Sequence, residues 1–190
     1  MKQALYIRKA TYDDIPALLR LFENAKGIMR ASGNLHQWGV GYPSVDVVRR
    51  DIEQGVCYVA TDGEDGEIEA TMAFIQGPDP TYSYIEGGMW LNDEPYHVIH
   101  RIAVAAPGKG YARLLLDWAF ERTQTVRIDT HRDNVIMHYI LQKYGFRRCG
   151  VIYLANGDAR DAYQLSKLKS ESRGLYKTEG STKPTAVSRG

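Results

Sequence analysis

The sequence has few cysteines and little net charge. Its two cysteines, Cys57 and Cys149, both lie in apolar runs that read as strands. This usage predicts reduced core residues of a cytoplasmic protein rather than a disulfide framework. The formal net charge is +1, which argues against a surface built to neutralise the phosphates of a nucleic acid. Nucleic acid is therefore not the expected partner.

Long apolar runs are lacking as well. No segment approaches the roughly 20 apolar residues of a membrane span, and residues 1–8 have no apolar signal core, so no membrane association is expected. What is present is an ordinary globular composition, 44% hydrophobic and 25% charged. At 190 residues the chain is long enough to bury one sizeable core.

Composition divides the chain into a domain at 1–168 and a tail at 169–190. Beyond Lys169 the residues are mostly Ser, Thr, Gly, Lys and Arg, with few large apolar side chains. Such a segment cannot bury enough surface to offset the entropy of ordering it, so we predict a disordered tail.

The first part of the domain alternates between strand and helix patterns. Period-two alternation, helix-capping residues such as Thr11 and Ser44, and apolar residues at helical spacing predict a strand, two helices and a hairpin. The predicted ranges are 5–9, 15–30, 45–54, 56–60 and 67–75. Residues 147–154 and 162–168 read as a closing hairpin.

Residues 97–146 carry most of the chemical information. An apolar strand ends near Val104, two glycines bracket Lys109, and a helical pattern begins at Tyr111. Gly108 and Gly110 lack a Cβ, so a ligand can approach the backbone N–H groups closely. The first turn of a helix also presents unpaired N–H groups and the positive end of its dipole, which makes this turn a candidate phosphate site.

Spacing separates the families that place glycines at such a turn. A P-loop fails because Lys109 is followed by Gly110 and no earlier glycine is in place. A Rossmann fingerprint is weak because Arg113 occupies the third glycine position. The run IAV…GKGYARLLLDWA resembles the acetyl-CoA motif of the GNAT superfamily of N-acetyltransferases. Pro107 stands where that motif has Arg or Gln.

A second segment supports the same resemblance. Asn134 and the pair Gly145-Phe146 are similar, in their separation, to a family segment on the helix that follows the fifth strand. Leu141 occupies the position of the tyrosine that often protonates the leaving thiolate, so that role is not transferred. The resemblance covers roughly a hundred residues.

The resemblance implies an α/β (α+β) fold. The sheet would be mixed, mostly antiparallel and six- to seven-stranded, with helices on both faces and a splay near the fourth and fifth strands. Acetyl-CoA would be the co-substrate, without a metal, and would be attacked directly by the acceptor amine. The residues implied for its binding are Ile102, Ala103, Val104, Gly108, Lys109, Gly110, Tyr111, Ala112, Arg113 and Asn134.

His100 is the candidate general base. An alkyl ammonium has a pKa near 10.4 and must lose a proton before attack, whereas an imidazole titrates near 6.5. Period-two alternation places His100 and Val104 on one strand face and His97 on the other. Because His97 and His100 face opposite sides of the strand, they are poorly placed to bind one metal ion together, so no metal is expected. The alternative is a structural, hydrogen-bonded histidine.

Aromatic loops are the candidate acceptor site. Trp38 and Tyr42 lie among glycines between the first two helices, and the connection at 76–95 contains Glu86 and Trp90. The acceptor would be an amine of a small molecule or peptide. The resemblance also leaves a homodimer possible. The rival interpretations are a non-catalytic CoA-binding domain and a nucleotide-binding interaction protein.

Overall fold

The computed structural model describes residues 5–64 and 66–167, and the predicted tail at 169–190 lies outside them. Within this part of the chain, seven strands and four α-helices are present. In chain order they are β1 (Tyr6–Lys9), α1 (Ile15–Ala31), α2 (Val45–Glu53), β2 (Cys57–Thr61), β3 (Ile68–Gln76), β4 (His97–Val104), α3 (Tyr111–Phe120), β5 (Thr125–Thr130), α4 (Val135–Tyr144), β6 (Arg147–Tyr153) and β7 (Ala159–Ser166).

The strands form one mixed sheet. Their order is β1-β2-β3-β4-β5-β7-β6, and each neighbouring pair is antiparallel except β4 and β5. The parallel pair is short, because β5 pairs with β4 only at His97 and Val98 among the described residues. The two strands therefore separate beyond Val98. The mostly antiparallel, splayed sheet predicted from the sequence is confirmed.

Helices cover both faces of the sheet. Leu115, Leu116 and Leu141 of α3 and α4 join a buried cluster with Met72 and Ile128. On the other face, residues of α1 and α2 pack with residues of β2 and β4; they include Leu18, Phe22, Val48, Val59 and Ala103.

Local capping explains where two of the helices begin. The Ser44 hydroxyl accepts the N–H of Val47 at 3.3 Å at the start of α2, and Asn134 Oδ1 accepts the N–H of Met137 at 3.1 Å at the start of α4. Each bond satisfies one of the donors that a helix leaves unpaired in its first turn. No helix of the described residues is both long enough and apolar enough to cross a membrane.

The connection at 76–95 packs over the sheet, as its aromatic composition predicts. Tyr82 is 2% exposed and lies in a cluster with Val98, Ile152 and Ala162. Arg127 of β5 is held between the rings of Trp90 and Tyr96, with centroids 4.1 and 3.9 Å from its guanidinium carbon. The connection thereby brings Asp79, close to its start, against β4.

A bulge in β4 changes which residues share a face. Ala73 pairs with His100 and Thr71 with Ala103, so Arg101 and Ile102 together oppose one residue of β3. Arg101 has a φ of +52°, in the left-handed region. The predicted shared face of His100 and Val104 is therefore wrong, whereas the opposite facing of His97 is confirmed.

Candidate active site

A cavity opens where β4 and β5 separate. Its volume is about 990 Å³, and its walls include the exposed end of β4, the end of β5 and the loop after α1. Of the sequence-predicted residues, the structure places five in the lining: Trp38, Tyr42, His100, Ile102 and Asn134. Beyond Val98 the N–H and C=O groups on this side of β4 have no partner strand, so they are available to an extended ligand.

The glycine turn has the backbone shape that its composition predicts. Gly108 and Gly110 have φ values of +78° and +82°, and Gly110 is the N-cap residue immediately before α3. At either glycine, an added Cβ would meet no atom within 4 Å. The surface over the turn is open, so the first N–H groups of α3 face space that an anion can occupy.

The predicted charges around this turn are exposed. Lys109 and Arg113 lie on the surface. Arg113 Nε lies 3.7 Å from Asp117 Oδ2, which is one helical turn further along α3. The guanidinium carbon of Arg113 lies 5.9 Å from the centroid of the Tyr144 ring. Both cations are therefore exposed beside the turn and are not committed to the core. Ala103, the neighbour of Ile102 and Val104, is buried.

Gln37 joins the loop after α1 to the end of β5. Its side-chain oxygen accepts hydrogen bonds from the Thr130 hydroxyl at 3.0 Å, the His131 N–H at 2.8 Å and Asn134 Nδ2 at 3.2 Å. Asn134 is 9% exposed and caps α4 with its other amide atom. The loop that carries Trp38 and Tyr42 is thus fixed over the cavity.

His100 stands between two carboxylates. Its Nε2 lies 2.9 Å from Asp79 Oδ2, and its Nδ1 lies 3.6 Å from Asp129 Oδ1. The Tyr82 hydroxyl donates a hydrogen bond to the same Asp129 oxygen at 2.7 Å. The pKa of that phenol is raised well above 10, mainly because the side chain is buried and next because the Asp129 carboxylate is close. Asp79 comes from the connection at 76–95, so that connection positions the imidazole.

Asp79 is ionised in this arrangement. Burial raises the pKa of its carboxyl, but hydrogen bonds from His100 and Thr81 lower it more, to about 2 from the ordinary 3.8. A carboxylate can only accept hydrogen bonds, so His100 Nε2 is the donor. The lone pair of the neutral ring is then on Nδ1, beside Asp129.

The depressed pKa of Asp79 predicts a pH-dependent contribution to stability. A carboxyl whose folded pKa is depressed stabilises the fold above its unfolded pKa and loses this effect as the pH falls. We expect Asp79→Asn to lower the free energy of unfolding by about 2 kcal/mol at pH 6. The difference from wild type should shrink between about pH 4 and pH 2, measured by urea unfolding; a difference that is constant across this range would contradict the assignment.

Two of the predicted acceptor residues lie at the cavity and two do not. Trp38 packs edge-on against Phe22, with ring centroids 5.6 Å apart, and also lines the cavity. It therefore belongs to both the core and the cavity wall. Tyr42 lines the cavity and accepts a hydrogen bond from Arg101 at 3.2 Å. Glu86 pairs through its backbone with Val151, and Trp90 packs on Tyr82. Neither Glu86 nor Trp90 contributes to the lining.

No cysteine is presented to the cavity among the described residues. Burial raises the pKa of the Cys57 thiol to about 11 and also raises that of Cys149. Both thiols are therefore held in the neutral, weakly nucleophilic form.

Leu141 is fully buried in the core, as expected of an apolar residue at that position.

Several cavity residues gave no signal in the sequence. Asp79 and Asp129 are 21 and 29 residues from His100 along the chain. Asp79 meets His100 because the connection at 76–95 folds back, and Asp129 meets it because β5 lies beside β4. Arg160 and His131 line the cavity from β7 and the end of β5. Pairing of β5 with β7 brings them together, and a non-local pairing of this kind has no local pattern.

Comparison with known proteins identifies the fold. No protein-family model matches the chain, and the search of curated proteins returns no significant match. Among solved structures, the chain is similar to a GNAT-family acetyltransferase from Streptococcus agalactiae 2603, with 34% identity and a TM-score of 0.78, covering 89% of this chain and 99% of that one. The chain belongs to the GNAT family of acetyltransferases. Membership supports acetyl transfer in general and binding of acetyl-CoA.

More distant GNAT structures share the fold. One is an acetyltransferase from Listeria monocytogenes 4b F2365, with 20% identity and a TM-score of 0.64, covering 85% of this chain and 94% of that one. Another belongs to the NatC complex bound to Gag peptide and CoA, with 16% identity and a TM-score of 0.56, covering 85% of this chain and 98% of that one. In residues 5–64 and 66–167 no group of three or more His, Cys, Asp or Glu side chains is arranged to hold a metal ion.

Proposed function

We propose that this GNAT protein transfers an acetyl group from acetyl-CoA to an amine of a small molecule or peptide. The acceptor would attack directly in a ternary complex. The observation that carries the proposal is the position of His100, which lies between two carboxylates in the wall of a cavity at the β4–β5 splay.

The donor would lie along β4 and the glycine turn. Backbone groups of Ile102, Ala103 and Val104 are on the part of β4 that has no β5 partner, and they offer the pantetheine amides an edge on which to pair. The pyrophosphate would meet the N–H groups of the turn at residues 108–113. Asn134, at the start of α4, lies on the opposite side of the splay.

His100 would accept the proton that the ammonium must lose. Nδ1 carries the lone pair, because Nε2 donates to Asp79. The freed amine forms a bond to the thioester carbonyl carbon, the carbon–sulfur bond breaks, and the departing thiolate takes up the proton that the attacking nitrogen loses as the amide forms. The imidazolium produced at His100 is stabilised by Asp79 and Asp129.

The state of the cysteines supports direct attack. An acetyl-enzyme intermediate needs an activated nucleophile, and raised thiol pKa values at Cys57 and Cys149 work against one. Initial rates measured at varied acetyl-CoA and acceptor concentrations should give intersecting double-reciprocal lines. We also expect a Cys57→Ala, Cys149→Ala double variant to retain at least about half of the wild-type kcat. Parallel lines for the wild-type protein, together with loss of activity in the double variant, would overturn direct attack.

A coupled assay of thiol release with a panel of amines tests the activity itself. Turnover that needs both acetyl-CoA and an amine supports the proposal. CoA binding without turnover on any amine would favour a non-catalytic CoA-binding domain. Thermal shifts with acetyl-CoA, ATP and NAD separate the nucleotide-binding alternative, since a ligand at a hundred times its Kd adds about 2.7 kcal/mol of stability.

A further inference from the structure

Most of the ionisable residues that line the cavity form two groups, and Asp158, which also lines it, lies beside Arg160 of the second group. The acidic group consists of Asp79 and Asp129, which flank His100. The basic group lies beyond the end of β5 and at the start of β7; it consists of His36, His131, Arg132 and Arg160. Arg101 also lines the cavity, but it is bound to both oxygens of Asp51 at 2.7 and 2.8 Å, so its charge is already compensated.

Arg160 is the buried cation of the basic group. It is 4% exposed, and it donates to the carbonyl of Gln37 at 3.2 Å and to its neighbour's carbonyl, at Ala159, at 3.1 Å. The nearest carboxylate, on the half-exposed Asp158, is 3.7 Å away. A guanidinium has five N–H donors, and carbonyl oxygens do not neutralise its charge. Its planar fork suits a carboxylate or phosphonate in two-point contact.

His131 supplies a second donor beside Arg160. Its Nδ1 accepts the N–H of Asp133 at 3.2 Å, so in the neutral ring the proton is on Nε2. Burial, followed by the charge of Arg160, lowers the pKa of His131, which keeps the ring neutral. Nε2–H has no hydrogen-bond partner among the described residues, while its ring lies 5.9 Å from that of His36.

The two groups are close enough for one small molecule to reach both. Asp129 and His131 are two residues apart on an extended chain, which corresponds to about 6–7 Å. An ammonium placed at the acidic group would lie beside His100, and an anionic substituent one or two carbons away would face the basic group. An acceptor with a single positive charge and no anion would leave the buried Arg160 with only the half-exposed Asp158 carboxylate, at 3.7 Å, as its counter-charge.

We propose that the acceptor is a small zwitterion, an amine that carries a carboxylate or phosphonate bound by Arg160 and His131. This inference rests on the proposed acetyl transfer to amines and names its substrate class. Free α-amino acids and aminoalkylphosphonates are the probes that test it.

The test compares acceptors that differ only in the anion. Amino acids, their carboxamides and the corresponding decarboxylated amines are assayed at saturating acetyl-CoA. We expect kcat/KM for the free acid to exceed that for the carboxamide by at least about tenfold, as for loss of a hydrogen bond to a charged group. Equal or better turnover of the carboxamides would overturn the zwitterion and leave the acetyltransferase proposal standing.

Variants assign the preference to Arg160. In Arg160→Gln the acid-to-amide preference should fall to near unity, and Arg160→Lys should restore part of it. Arg148→Gln is the control for loss of an arginine from the same hairpin, because Arg148 forms an ion pair with Asp161 at 2.6 Å but is more exposed than Arg160 and does not line the cavity. A preference that survives in Arg160→Gln would overturn the assignment, provided acetyl-CoA still binds that variant, which shows that it folds.

Calorimetry covers the case in which no acceptor turns over. Amino acids are titrated into the CoA-bound protein, and binding that weakens at least about tenfold in Arg160→Gln supports the anion site even if acetyl transfer fails. No heat with any amino acid or aminophosphonate, together with normal CoA binding, would overturn the inference. Failure of CoA binding itself is the separate result that overturns the proposed function.

Discussion

Replacing His100 with alanine is expected to lower kcat by about 10²- to 10⁴-fold, the range attributed to a positioned general base. The reason is the geometry of the ring, whose Nε2 is held by Asp79 while Nδ1 is left with a lone pair beside Asp129. The KM for acetyl-CoA should change little, because the donor is expected to bind along β4 and the glycine turn. Thiol release at saturating acetyl-CoA measures both quantities.

His138→Ala is the control for this variant. The two histidines are similarly buried, with side chains 21% and 18% exposed, and each is hydrogen-bonded, His138 to the Tyr163 hydroxyl at 2.8 Å. His138 does not line the cavity, so its loss should leave kcat within about threefold of wild type. Full activity in His100→Ala would end the assignment of the base, whatever the result for His138.

A second variant separates positioning from proton transfer. Asp79→Asn keeps a hydrogen-bond acceptor near Nε2 but removes the charge that stabilises an imidazolium. We expect its kcat to fall by about tenfold, less than in His100→Ala, with the acidic limb of the pH–rate profile moved to lower pH. A purely structural role for Asp79 would lower stability without moving that limb.

Local chemistry explains why the shape of the glycine turn, where we propose that the cofactor binds, could be predicted from the sequence. A turn that needs positive φ requires glycine, and a helix that follows it at once always presents its N–H groups, so Gly108, Gly110 and the start of α3 are readable in one short segment. The family resemblance predicts Asn134 as a cofactor-binding residue, and the structure shows that it caps α4, a local role that depends only on the three residues after it.

The acceptor side depends on contacts between distant segments. The bulge at Arg101 and Ile102 arises from how β4 pairs with β3, and it defeats the simple alternation that would place His100 and Val104 on one face. Asp79 reaches His100 only because the connection folds back over the sheet, where Tyr82 is buried, and Arg160 reaches the cavity only through the pairing of β5 with β7. Aromatic composition pointed to Trp38 but equally to Trp90, which instead packs on Arg127.

Replacing Gly110 with valine is expected to raise the Kd for acetyl-CoA by roughly 5- to 150-fold. A β-branched residue is strained at a φ of +82°, at a cost of about 1–3 kcal/mol. The backbone can relieve this strain by turning away from the left-handed region, which moves the N–H groups at the start of α3 off the phosphate position. Each 1.4 kcal/mol lost corresponds to a factor of ten in Kd. Calorimetric titration with acetyl-CoA measures the change.

Gly63→Val separates this effect from strain alone. Gly63 has a φ of +85° and, like Gly110, has no atom within 4 Å of an added Cβ, but it lies in the turn between β2 and β3. Both variants should lose similar amounts of unfolding free energy, because the backbone conformation and the open surroundings are matched. Only Gly110→Val should lose affinity for acetyl-CoA. If the two variants bound the donor equally well, the N–H groups that precede and begin α3 would not be holding its phosphates, and the cofactor would have to lie elsewhere on the splayed sheet.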